Sequence, residues 1–76
     1  MPRITPVPYM VLQRIFEAEG FKFDRQRGDH LIYVKDGISR PVVIPMYQEV
    51  PVFIIKNNLK SAGISREEYF RLIKGR

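Results

Sequence analysis

The sequence predicts an α+β fold in the order α-β-β-β-α-α, with a three-stranded antiparallel sheet carrying its helices on one face. Three observations predict it. Apolar residues recur at helical spacing near both ends of the chain. Between them lie three short runs rich in β-branched and aromatic residues. Turn signals separate those runs, as between short antiparallel strands. With 76 residues, 45% hydrophobic and 12% aromatic, one folded domain over residues 1–76 is expected rather than a disordered chain.

Helix one follows Pro8, whose missing N–H is not needed in a first turn. Val11, Leu12, Ile15 and Phe16 form its apolar stripe, and Gly20 closes it. Residues 21–26 alternate Phe21 and Phe23 with polar neighbours and read as a strand. Gly28 marks a turn, residues 30–35 form a second strand, and Asp36-Gly37 is a hairpin signal. Residues 40–45 make the third strand; Pro41 and Pro45 lack ladder donors and suit an edge or a strand end. Pro51 can open a second helix, with Ile54, Ile55, Leu59 and Ala62 as its apolar stripe and Gly63 at its end. Ser65 and Glu68 have the spacing of a capping box, so Ser65 caps the last helix and Glu68 reaches back. That helix buries Tyr69, Phe70, Leu72 and Ile73, while Arg71 and Lys74 suit its C-terminal dipole. No repeat or linker divides the chain. Helices must cover one face of so small a sheet, and the other can stay open. A small open sheet beside basic helices resembles a double-stranded-RNA-binding type of fold.

Composition removes most chemistries. The chain has no cysteine and a single histidine, which excludes disulfides, thiolate catalysis and a zinc cluster. No glycine-rich phosphate loop and no nucleophile elbow occurs. No cofactor and no metal is called for. No apolar run is long enough to cross a membrane, and Met1-Pro2-Arg3 starts no signal peptide, so a cytoplasmic protein is expected. Thirteen Lys and Arg against eight Asp and Glu give a formal charge of +5, which suits a polyanionic partner or plain solubility.

General acid–base chemistry with cationic assistance remains. RNA supplies its own nucleophile: a base takes the proton of a 2′-hydroxyl, and cations stabilise the charge that develops on phosphorus. His30 is the candidate base or acid, beside Gly28 and Asp29 in the turn. Arg25, Arg27, Lys35, Arg40, Lys56 and Lys60 are the candidate RNA-binding residues. Each has a plain alternative: His30 as a structural residue at a strand start, Lys35 and Arg40 as a solvated hairpin tip, Lys56 and Lys60 as a solvated helix face. Tyr33 and Tyr47 can stack on bases or fill the core. Strand parity raises a conflict, because His30 alternates with Ile32 and Val34, which look core-directed, unless Gly28 introduces a bulge. Arg25 and Arg27 likewise share the parity of Phe21 and Phe23.

Taken together, "EAEGFKFDRQRGDHLIYVK", "RPVVIP" and "IIKNNLKSAGISREEYFRLI" resemble the HicA family of toxin ribonucleases. The ordered features are Gly20-Phe21, Gly28 with His30, Ile44-Pro45, Ile55-Lys56, Leu59, Ala62-Gly63-Ile64-Ser65 and Glu67-Glu68-Tyr69-Phe70, over roughly residues 12 to 73. The resemblance implies a double-stranded-RNA-binding-like fold and metal-independent cleavage of mRNA, with His30 at the position of the family's catalytic histidine. It implies neutralisation by a HicB-type antitoxin and oligomers only through that complex. Asp29 stands where the family pattern has serine; a carboxylate there orients the imidazole or repels phosphate. The same fold holding RNA without cutting it, and a basic surface made only for docking a protein partner, are the two other readings.

Overall fold

In the computed structural model, residues 3–75 are described; the Met1-Pro2 start read above lies outside them. The elements are α1 (Tyr9–Ala18), β1 (Lys22–Arg27), β2 (His30–Lys35), β3 (Ile38–Pro45), α2 (Val52–Ala62) and α3 (Arg66–Gly75). This is the predicted α+β order, in one antiparallel sheet with β2 at its centre. Pro8 and Pro51 occupy the N-cap positions of α1 and α2. An isolated bridge between Val7 and Val50 ties the segments that lead into those two helices, and the Tyr9 N–H donates to the Tyr47 carbonyl at 3.1 Å.

The first helix ends in a Schellman motif. Gly20 N–H donates to Glu17 and Phe21 N–H to Phe16, while the Phe16 and Phe21 rings meet edge to face at 5.6 Å. Phe21 therefore belongs to the helix closure, and β1 starts at Lys22, one residue later than predicted. The third strand begins at Ile38, earlier than predicted, because the two-residue Asp36-Gly37 turn passes directly into it. Pro41 falls on this outer strand where the ladder with β2 slips between Tyr33 and Lys35, so its missing donor leaves no ladder bond unmade.

At the end of α2, Gly63 adopts φ 72°, and the Ile64 N–H closes back on the Leu59 carbonyl at 3.0 Å. A methyl group built on Gly63 meets no atom within 4 Å, so Gly63→Ala carries only the left-handed backbone penalty of about 1–2 kcal/mol. Urea denaturation is expected to read that loss with an unchanged m-value. Ser65 caps α3 as predicted, its Oγ accepting from Glu68 N–H at 3.0 Å. The reciprocal half of the capping box is not made. The Glu68 carboxylate instead takes Arg71, Nε to Oε1 at 2.9 Å, because a charged partner one turn along outcompetes a backbone amide. The Arg71 guanidinium lowers the Glu68 carboxyl to about 2.

The core lies between the sheet and all three helices. Leu12, Ile15 and Phe16 of α1, Ile55, Leu59 and Ala62 of α2, and Tyr69 of α3 pack on Leu31, Tyr33, Val42 and Ile44. Two buried tyrosines differ in how their hydroxyls are satisfied. The Tyr33 hydroxyl accepts from Gln13 at 2.9 Å and donates to Glu17 at 3.0 Å. The Tyr69 hydroxyl is buried with no protein partner, and burial raises its pKa. Tyr69→Phe is therefore expected to be neutral or stabilising by up to about 1 kcal/mol. Because the folded pKa lies above the unfolded one, Tyr69 contributes stability that is complete below about pH 10 and lost as pH rises further. The Phe variant should lose part of this alkaline sensitivity in melts recorded across that range.

Candidate functional site

Which face His30 takes is decided in β1. Phe23 pairs with Tyr33, but the next partners are Arg25 and Ile32, so Asp24 is an extra residue and the strand bulges there. The bulge reverses the parity of everything beyond it. Phe23 stays with the core side, its ring edge to face on Tyr33 at 5.8 Å. Arg25 and Arg27 turn to the open side, opposite Ile32 and His30. The expected parity conflict is thus resolved by Asp24, while Gly28 simply makes the two-residue turn at φ 60°. The expectation that Ile32 and Val34 face the core is also corrected. Leu31 and Tyr33 do so, and His30, Ile32 and Val34 share the helix-free face.

His30 opens the central strand between Arg27 on β1 and Pro45 on β3. Its side chain is 44% exposed, so the ring meets solvent and is not sealed in the core. The Asp29 carboxylate contacts His30 Nδ1 at 2.8 Å. That contact occupies Nδ1 and leaves Nε2 as the ring nitrogen free of it. Asp29 is itself held, since its carbonyl accepts the Met46 N–H at 2.8 Å. Gln26 braces the same turn by donating to the Gly28 carbonyl at 2.9 Å. Arg27 is exposed directly across from His30; Arg25, two ladder positions away, is paired with Asp24. A paired imidazole and two guanidiniums at one end of an open sheet can accept a proton and hold an anion together.

The other predicted cations do not join this cluster. Lys35 ends β2, five residues from His30 and so roughly 16 Å along the strand, with its ammonium 5.7 Å from the Phe21 ring centre. Arg40 and Lys60 line a groove of about 660 Å³ between the start of β3 and α2, with Ser39, Asn57 and Ser61. Lys56 lines a second groove, of about 340 Å³, with Arg3, Thr5 and Arg66. Tyr33 is sealed in the core at 1% exposure, whereas Tyr47 is 40% exposed; only the second can stack on a base. Sequence reasoning passed over Lys22, which lies across from Val34 on the open face, and Asn58, a buried polar residue that ties α2 to the Val43 carbonyl of β3 at 3.0 Å. Among the described residues no group of His, Asp and Glu is arranged to hold a metal, and no helix is long and apolar enough to cross a membrane.

Fold and site together define a small α+β protein with a helix-free sheet face, on which a carboxylate-paired histidine sits beside arginine. The sequence model of the HicA toxin of bacterial toxin-antitoxin systems matches residues 11–64, and the chain belongs to that family. The matched segment runs from the first turn of α1 to the residue after Gly63, so it contains the whole sheet, His30 and α2. No curated protein matches the chain. Membership makes this the toxin component of a toxin–antitoxin pair, in a family that is generally endoribonucleolytic.

Proposed function

We propose that this toxin is an endoribonuclease that cleaves mRNA without a metal ion, acts in the cytoplasm as one domain, and is silenced by a HicB-type antitoxin. The observation that carries the reading is the 2.8 Å Asp29–His30 contact on a solvent-facing ring opposite Arg27. In the neutral imidazole, Nε2 takes the proton from a ribose 2′-hydroxyl. The 2′ oxygen attacks the adjacent phosphorus, the bond from phosphorus to the 5′ oxygen breaks, and the proton passes to that departing oxygen. The products are a 2′,3′-cyclic phosphate and a 5′-hydroxyl. Arg27, with Arg25, holds the nonbridging oxygens as charge builds on them. Asp29, 2.8 Å from Nδ1, supplies negative charge beside the ring as it takes up the proton, the part a carboxylate plays beside histidine in other acid–base sites. Arg40, Lys56 and Lys60 bind flanking phosphates, and Lys35 one at the far end of β2.

The test is a long RNA and its 2′-O-methyl counterpart, each incubated with the purified protein in EDTA. The RNA is expected to be cut to fragments ending in cyclic phosphate and the methylated strand to stay intact. Cleavage of the methylated strand, or an intact RNA in EDTA, would overturn the reading.

A further inference from the structure

The exposed face of α2 carries a feature that the His30 site does not use. Phe53 is 66% exposed, the highest value among the large exposed apolar side chains. Phe53, Lys56 and Lys60 follow at spacings of three and four residues, so they lie on one face, with exposed Asn57 beside them. The opposite face, Ile55, Asn58, Leu59 and Ala62, is the buried one. Packing therefore does not explain the phenylalanine. The helix has no acidic residue, and the two grooves that flank it are lined by Arg40 on one side and by Arg3 and Arg66 on the other, with no carboxylate in either lining. Asn58 fixes the helix to the β3 backbone, which gives the face a fixed position beside the sheet.

We infer that this face binds single-stranded RNA, with a base stacked on Phe53 and consecutive phosphates on Lys56 and Lys60. An aromatic ring set among lysines, with neutral hydrogen-bonding groups at the margin, is how strands are held without sequence preference. The cations give the complementary charge, and an apolar ring in a ring of cations offers little to another protein's core. The choice of RNA as the occupant rests on the function proposed above. The surface holds substrate away from the scissile bond, because α2 lies on the core side of the sheet and His30 on the helix-free face.

The test measures binding of a 2′-O-methyl oligouridylate to the full chain by fluorescence anisotropy, alongside cleavage of a long RNA by the wild type. Phe53→Ala is expected to weaken binding about tenfold, and Phe53→Trp to restore it with quenching of the new indole on binding. Exposure of the site keeps these variants folded, which far-UV circular dichroism checks. Lys56→Gln with Lys60→Gln should flatten the salt dependence by roughly 1.4 in log–log slope, two phosphates at about 0.7 each. Wild-type affinity in both the Phe53→Ala and the double lysine variants overturns the inference; if those variants instead lose capture of poly-glutamate, the face belongs to an acidic protein. A wild type that cuts no RNA but binds the oligonucleotide through Phe53 leaves this surface standing and removes the nuclease reading. A wild type that cuts RNA while the variants bind normally does the reverse.

Discussion

Replacing His30 with alanine is expected to slow RNA cleavage by about 10²- to 10⁴-fold, the usual contribution of one positioned acid–base group. The fold should be untouched. The ring is 44% exposed and its polar contact is to Asp29, itself 66% exposed, and substitutions of this kind shift stability by about 0.5 kcal/mol or less. Single-turnover cleavage gives the rate, and a thermal melt of the same preparation gives the control. Asp29→Asn keeps a side chain of the same shape 2.8 Å from Nδ1 but removes its negative charge. Asp29→Asn should slow cleavage less than His30→Ala does, because the imidazole is still present. Wild-type cleavage by the His30 variant would remove the imidazole from the mechanism.

Phe16→Ala is expected to destabilise the protein by about 3–5 kcal/mol. Phe16 is fully buried, its ring meets Phe21 edge to face, and its carbonyl receives the amides of Glu19 and Phe21. Removing the ring leaves a void where α1 turns into β1 and loosens the closure that aims the first strand. A single core of this size supplies only about 3–5 kcal/mol in total, so the variant should be largely unfolded at 25 °C, read by circular dichroism and urea titration. Met10→Ala, on the exposed side of the same helix at 55%, is the matched comparison and should be near neutral. A Phe16 variant within 1 kcal/mol of wild type would mean that the α1–sheet packing is not the main core contact.

The sequence made the helix boundaries readable because their chemistry is local. Proline before α1 and α2, Gly63 after α2 and Ser65 before α3 each act within one turn of the backbone. Both hairpins were marked by glycine for the same reason. Facing was harder to read. Period-two counting from Phe21 and Phe23 places Arg25 and Arg27 indoors, and it fails because Asp24 is an inserted residue whose effect depends on what β2 presents opposite it. Ile32 looked like core because it is apolar and does become buried, at 6% exposure, but it lies outside the cluster that the helices pack on. The candidate site divides along the same line. His30 stood out as the chain's one imidazole; its contact with Asp29 and its pairing with Arg27 are products of the turn. The spread of the cations into separate groups was not legible, since sequence distance says little about which grooves α2 will border. Glu68 illustrates the competition directly, as two partners stood within reach and the charged one won.

The outer side of β1 has a consequence for the toxin when it is free. All six residues of this strand are exposed, and its length includes Lys22, Arg25 and Arg27 together with the kink at Asp24. A naked strand margin normally invites another copy to zip onto it. Here like charges would meet across the seam and the kink spoils the match, so this edge is a poor template for a second copy.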